Sequence, residues 1–222
     1  MTVVAIDGPA GSGKSTIAAA LAERLGVAHV DTGAYYRAAT LAVLRFAIDL
    51  RDGAGCARVI GDLTIERRLG RTLLNGVDVE DDIRGPEVTA TVSAVSAHPA
   101  VRAALLGAQR AAVSPAGAVV EGRDAGSVVV PDADLKVWLT ASPLERAARR
   151  AAQVGTADAN AITTHADSIK RRDADDATQM LRSADAIEID TTGVAVDEIV
   201  SRLVRLAQQA QQRAGTAAGD RT

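Results

Sequence analysis

Apolar and polar positions follow two alternating rhythms along the first fifty residues. Val3 to Asp7 is a short apolar run closed by Asp and Gly, the pattern of a buried parallel strand. "KSTIAAALAERL" follows with the Ala- and Leu-rich spacing of a helix, and Gly26 stands where that helix should stop. Val27 to Asp31 is a second strand pattern, and "GAYYRAATLAVLRFAI" a second helix. Strand–loop–helix–strand–helix predicts a parallel sheet covered by helices. The middle of the chain changes rhythm. "LTIERRLGRTLLNGVDVEDDI" has short β-type runs around Asn75-Gly76, a hairpin turn pair, and predicts a small antiparallel insertion. Helices are expected from Glu87 and from Pro99, then two core strands in "AGAVVEGRD" and "DLKVWLTAS". Ser142 and Pro143 fit the N-cap and first position of a helix through "SPLERAARRAAQ". Gly155 to Asp167 is polar and poorly periodic and reads as a mobile excursion. "ADAIEIDTT" gives a last strand, Val196 to Gln212 a last helix, and "RAGTAAGDRT" a tail with nothing to bury.

Composition narrows the classes of function. The 222 residues are 47% hydrophobic and 24% charged, which suits one soluble domain with insertions. Aromatics make up 2%, too few for a stacking platform, and the net charge of −3 gives no global hold on DNA or RNA. The single Cys56 excludes an intrachain disulfide and a cysteine zinc site. His29, His98 and His165 lack metal-ligand spacing. No apolar run reaches about 18 residues, and "MTVVAID" has neither the basic segment nor the apolar length of a signal peptide. A cytoplasmic protein is expected.

The first candidate chemistry lies in the loop after the first strand. Gly8-Pro9-Ala10-Gly11-Ser12-Gly13-Lys14-Ser15, with Thr16 behind it, matches the P-loop pattern in full. Glycines let consecutive N–H groups curl around an anion, and the helix N-terminus adds its dipole. Lys14 is placed to reach the outer phosphates of ATP and Ser15 to hold Mg²⁺. The chain has no Asn-Lys-x-Asp for a guanine, and "AVVEGRD" only loosely imitates the acidic strand end of a motor ATPase. A small-molecule kinase remains. Bringing two polyanions together demands cations between them. Arg37, Arg123, Arg149, Arg150 and Arg172 stand in loop-like or helix-end contexts. Arg37 and Arg123 flank predicted strand ends, where α/β sheets bind ligands. For any one arginine, solvated surface is the commoner role.

Four stretches together, "IDGPAGSGKST", "DTGAYYRAAT", "VEGRDAGSVVVPDA" and "IKRRDADDA", resemble the bacterial-type cytidylate kinases, and the resemblance extends from about Val3 to Asp190. It implies an α/β, three-layer P-loop fold of the nucleoside-monophosphate kinase type. The core parallel sheet would occupy 1–45, 100–150 and 184–213, an antiparallel monophosphate-binding insertion about 46–99, and a helical lid about 151–183. Residues 214–222 would be a disordered tail. The implied activity is transfer of the γ-phosphate of ATP to CMP or dCMP with Mg²⁺, in pyrimidine metabolism. The resemblance puts Thr32 and Arg37 on the acceptor phosphate with Arg123 nearby. It puts Ser93, Arg102 and Asp124 around the cytosine, Arg172 and Asp176 on the sugar side, and Arg149 and Arg150 in the lid over the transferring group. An acidic side chain suits the cytosine 4-amino group and repels the oxygen of uracil. Tyr36 either touches the acceptor or packs, and Trp138 reads as core. A monomer is expected, with ATP and CMP or dCMP as its small-molecule partners and neither nucleic acid nor membrane.

Two positions depart from the family pattern. Gln179 in "DDATQMLRSADA" stands where an arginine is usual, in a segment a few residues short, and Ala125 replaces a larger apolar residue. Glutamine can hydrogen-bond but cannot neutralise a phosphate, and Arg182 is a nearby candidate substitute. A kinase with a drifted acceptor and a non-catalytic nucleotide sensor are the alternative readings.

Overall fold

Val4, Ala5 and Ile6 have no exposed surface and form the centre of strand β1 (Val3–Asp7). The computed structural model describes residues 2–68, 70–153, 155 and 159–219. After β1 the P-loop turns the chain into helix α1 (Lys14–Leu25), whose Gly26 cap adopts φ 67° and donates its N–H to the Ala22 and Glu23 carbonyls. Strand β2 (Ala28–Asp31) and helix α2 (Thr32–Arg45) follow, the helix capped by the Asp31 carboxylate on the Ala34 N–H at 3.0 Å. Helix α3 (Gly53–Gly61) leads to a meander of β3 (Ile65–Arg68), β4 (Arg71–Leu74) and β5 (Val77–Asp78). Helices α4 (Pro86–Ser96) and α5 (Pro99–Ala111) each begin on proline, which needs no hydrogen bond at that position. Strand β6 (Ala118–Gly122), a π-type turn at Ala125–Val129, β7 (Leu135–Thr140), α6 (Pro143–Gln153), α7 (Ala159–Asp175), β8 (Ile187–Asp190) and α8 (Val196–Gly219) complete the chain.

The chain divides into two compact units, Met1–His29 with Ser114–Thr222, and Val30–Val113. The core sheet has the order β2-β6-β1-β7-β8. Its pairings are parallel, with Asp7 opposite both Gly122 of β6 and Trp138 of β7. In the first unit Val4, Ile6, Val137 and Leu139 of the sheet pack with Ile17 and Leu21 of α1 and with Ile199 and Leu203 of α8. Burying a side chain of this size stabilises by roughly 1.5–3 kcal/mol. That makes the sheet a rigid base for the loops at its strand ends. Trp138 is half-buried on β7. The second unit has its own core of Tyr35, Val43, Cys56, Ile60, Val92, Val95, Val101 and Leu105. Its three-stranded sheet is antiparallel, and the turn between β4 and β5 has Asn75 at φ 50° and Gly76 at φ 80°, the backbone that the Asn-Gly pair favours.

Three expectations are corrected. The polar segment taken as a mobile excursion is helical from Ala159 onward; a helix lined with Thr, Asp, Lys and Arg needs no strong apolar stripe where much of its surface faces water. Residues 156–158 of that segment lie outside the described residues. Helix α3, built on glycine-containing "GAGCARVIG", was missed; the Asp52 carboxylate caps it on the Gly55 N–H at 2.9 Å. The last helix continues past Gln212 to Gly219. Residues 220–222 of the expected tail lie outside the described residues.

Candidate active site

The first unit carries the phosphate loop. Gly8 has φ 149°, and a Cβ there would stand 2.1 Å from the Leu139 carbonyl oxygen, so only glycine lets the loop leave β1 against β7. Lys14 donates to the Pro9 carbonyl at 2.7 Å. As a residue it is half-buried, but its ammonium group is enclosed. Burial and then the charge of Arg123 pull it down to about 7, against the pull of Glu121 and Asp7. The loop already holds an internal anion. The Asp173 carboxylate of α7 accepts from the Ala10 N–H at 3.1 Å and pairs with Arg146 of α6, which itself donates to the Ala10 carbonyl at 3.0 Å.

Ser15 donates its hydroxyl to Glu121 at 2.8 Å, and His29 meets the other oxygen of that carboxylate at 2.9 Å. Glu121 is 3% exposed, at the end of β6. A hydroxyl backed by a buried carboxylate fits Mg²⁺, a hard cation usually held by one or two protein oxygens together with substrate phosphates. Among the described residues no group of three or more His, Cys, Asp or Glu could hold a metal ion.

Four arginines of the expected site lie in this unit. Arg123 donates to the Gly8 carbonyl at 2.8 Å and to Asp176 at 3.0 Å. Arg172 lies one helical turn from Asp176, its Nε 4.0 Å from the carboxylate and without a hydrogen bond of its own. Burial, then the charge of Arg123, makes Arg172 less basic than usual. The structure thus gathers Lys14, Arg123, Arg172 and Asp176 around the loop. Arg149 is anchored differently: Nε to Glu145 at 3.0 Å, and the terminal nitrogens to the Thr191 hydroxyl at 2.9 Å, the Thr191 carbonyl at 2.7 Å and the Ser12 carbonyl at 3.5 Å. Arg150 is on the same helix and bonds Gln153 at 3.3 Å. Gln179 is 9% exposed. Its side-chain amide meets the Thr178 hydroxyl at 2.8 Å, within its own turn. Arg182, the candidate substitute, is tied to Glu188 of β8 and to the Ala186 carbonyl at 3.3 Å.

Asp124 follows Arg123 and is 3% exposed. Ala125, buried and without exposed surface, sits in the π-type turn behind it, so its small side chain is part of the packing there. In the second unit Thr32 opens α2 and is buried. Arg37, on the same helix, donates to the Ile83 carbonyl and the Thr89 hydroxyl, each at 3.0 Å. The Arg102 guanidinium lies over the Tyr36 ring at 5.3 Å and donates to the Ser96 carbonyl at 3.4 Å. Ser93, 9% exposed, is one turn before Ser96 on α4. The fold therefore brings Tyr36, Arg102 and the Ser93 face of α4 together from separate helices. Asp7, Glu121, Arg146 and Asp173 were not among the residues expected from the sequence. The acids at the ends of β1 and β6 had a signal, since charged residues closing apolar strand runs are costly to bury without a task.

The cytidylate kinase family model matches residues 4–209. The chain belongs to the cytidylate kinase family. A cytidylate kinase from Mycobacterium leprae is 45% identical over 93% of this chain and 96% of its own length. One from Rhodococcus opacus is 46% identical over 91% of this chain and 93% of its own. A bifunctional pantoate ligase/cytidylate kinase of a Synechococcus strain is 45% identical over 92% of this chain, which spans only 44% of that longer protein. No helix among the described residues of this α/β chain is long and apolar enough to cross a membrane.

Proposed function

We propose that this cytidylate kinase transfers the γ-phosphate of ATP to CMP and dCMP with Mg²⁺, by direct in-line displacement and as a monomer in the cytoplasm. The observation that carries the reading is the cationic cluster on the P-loop, with Lys14 enclosed beside Arg123 and Arg123 bonded to the Gly8 carbonyl, in a chain matched by the family over residues 4–209. The loop from Gly8 to Thr16 holds the ATP phosphates through its backbone N–H groups, Pro9 having none, and Lys14 neutralises the charge that moves. Ser15, backed by Glu121, holds Mg²⁺, which supplies further charge neutralisation. A monophosphate has its second pKa near 6 and is already mostly ionised at neutral pH. No general base is required, and the protein supplies alignment and electrostatics.

On the acceptor side, Thr32 and Arg37 take the phosphate with Arg123. Ser93, Arg102 and Asp124 read the cytosine, while Tyr36 supports Arg102. Arg172 and Asp176 meet the sugar. Asp176 and Arg123 bond each other at 3.0 Å, so substrate binding exchanges one charge-assisted contact for others rather than ordering free side chains. Arg149 is assigned to holding Ser12 and Thr191, and Arg150 to the transferring group as the lid closes. The lid would exclude water from the reaction.

The test is coupled ADP release with ATP and Mg²⁺ against CMP, dCMP, UMP, AMP and GMP. Turnover on CMP and dCMP is expected, with UMP at least about 100-fold poorer in kcat/KM, as befits a site that hydrogen-bonds an amino group. Asp124→Asn should lower the CMP-over-UMP ratio by roughly 10- to 100-fold, the range for a hydrogen bond to a charged group. An unchanged ratio would remove Asp124 from base recognition. Turnover on none of the five would favour the nucleotide sensor.

One observation favours a slower or drifted kinase as a second reading. Gln179 bonds its own turn and Arg182 is committed to Glu188, so neither replaces the usual arginine. Gln179→Arg is expected to raise kcat by about 10-fold if that charge is missing from the transition state, as read in steady-state kinetics with CMP. No gain would show the position to be tolerant.

A further inference from the structure

The last residue of β1 and the first of the phosphate loop are tied to the segment that carries Arg123 and Asp124. Asp7 closes β1, is 4% exposed, and is followed directly by Gly8. One carboxylate oxygen accepts the Ala125 N–H at 2.7 Å and the other accepts the Gly126 N–H at 2.8 Å. Both bonds are buried, and each N–H belongs to the start of the π-type turn that follows Asp124. From the opposite direction Arg123 donates to the Gly8 carbonyl at 2.8 Å. Asp7-Gly8 and Arg123–Gly126 are therefore stapled three times, twice through one side chain.

The outer side of the turn is tied as well. Ser127 donates to the Leu181 carbonyl at 2.9 Å, and Ser183 donates to the Gly126 carbonyl at 2.7 Å. Asp124 itself is at φ −148° and ψ 26°, outside both strand and helix geometry, with its carbonyl accepting the Val128 N–H at 2.9 Å. A residue in so irregular a backbone is aimed by whatever fixes its neighbours. Asp7 is the only side chain among the described hydrogen bonds that holds two consecutive N–H groups of this turn.

We infer that Asp7 is a positioning residue for acceptor recognition: its carboxylate fixes the Ala125–Gly126 backbone, and so aims Asp124 at the base from the root of the phosphate loop. A neutral side chain of the same shape would avoid the cost of burying charge beside Asp124. Burial, with a smaller contribution from Asp124, indeed pushes the Asp7 carboxyl up to about 6. Only a carboxylate, however, offers two equivalent acceptors to two adjacent N–H groups; asparagine offers one and a donor that would oppose the second. The inference rests on the reading of Asp124 as the base-recognition residue.

The test compares Asp7→Asn, Asp124→Asn and the double variant in the full chain. The readings are KM for CMP, KM for ATP, the CMP-over-UMP ratio of kcat/KM, and Tm. Asp7→Asn is expected to raise KM for CMP and lower the CMP-over-UMP ratio by about 10-fold each, with KM for ATP moving less than about 3-fold. In the double variant the ratio should fall no further than in Asp124→Asn alone, since residues that act through one another are non-additive. A ratio unchanged in Asp7→Asn while Asp124→Asn collapses it would overturn the inference and leave Asp7 a structural cap. A ratio unchanged in both would overturn the reading of Asp124, and the inference with it. If Asp7→Asn does not fold, Ser183→Ala loosens the same turn from its other side; loss of selectivity there supports the inference, and full selectivity overturns it.

Discussion

Lys14→Ala is expected to lower kcat by about 10³-fold or more, equivalent to about 4 kcal/mol of transition-state stabilisation, while leaving the fold intact. The ammonium group is enclosed, donates to the Pro9 carbonyl at 2.7 Å, and is opposed by the like charge of Arg123. It is thus held where its charge is poorly solvated, with Glu121 and Asp7 only partly offsetting burial and that repulsion. Deleting it removes little from the resting state and a full counter-charge from the transferring phosphoryl group. Tm should therefore be unchanged or slightly higher, and KM for ATP should rise less than kcat falls. Steady-state ADP release and thermal unfolding of the same preparation check both. A collapse of Tm together with activity would mean that Lys14 holds the loop and not the phosphate.

Arg123→Ala should show the opposite balance of stability. Its guanidinium bridges the Gly8 carbonyl at 2.8 Å and the Asp176 carboxylate at 3.0 Å. Asp176 is 6% exposed, and Arg172 is 4.0 Å away. Removing Arg123 takes a hydrogen-bonded counter-charge from a buried carboxylate and loosens the entry of the phosphate loop. A loss of about 2 kcal/mol of stability is expected, moderated because the pair is not wholly shut off from water. The kcat/KM for CMP should fall about 10²- to 10³-fold. Asp176→Asn on the Arg123→Ala background separates the two effects. It should recover stability, by removing the buried charge, without recovering turnover. Recovery of turnover would show that Arg123 acts only by shielding Asp176.

The sheet, the phosphate loop and most helices were legible because their causes are local. Val3 to Asp7 is buried on both faces, so its apolar run is continuous; Asn75-Gly76 is a turn because of its backbone preferences; Ser142 and Pro143 cap and start α6, with the Ser142 hydroxyl accepting the Glu145 N–H at 3.2 Å. Helix α3 was not legible, since two glycines at its start oppose a helix and its stability comes from the Asp52 cap and the burial of Cys56 and Ile60. Helix α7 gave too weak an apolar repeat to be read, being held by charge pairs such as Asp173 with Arg146.

The candidate site divides along the same line. Lys14 and Ser15 could be named from their spacing alone, because a loop that curls around a phosphate fixes the residues within a single turn of chain. The family pattern added Arg123, Asp124, Arg172 and Asp176 as types at positions. Pairing was beyond either. Arg149 was grouped with Arg150, yet its two terminal nitrogens hold Ser12 and Thr191 and its Nε holds Glu145, while Arg150 meets only Gln153 among the described hydrogen bonds. Arg182 was a candidate for the charge missing at Gln179 until β8 brought Glu188 to it. Asp7, an acid closing an apolar strand run, hinted at a task but not at a partner, and it holds two N–H groups of a turn more than a hundred residues further along the chain. Periodicity and spacing encode interactions that repeat over a few residues. Which charge neutralises which is settled when distant segments are packed at hydrogen-bond distance, because Coulomb and hydrogen-bond energies depend on separations of a few ångströms that no local pattern contains.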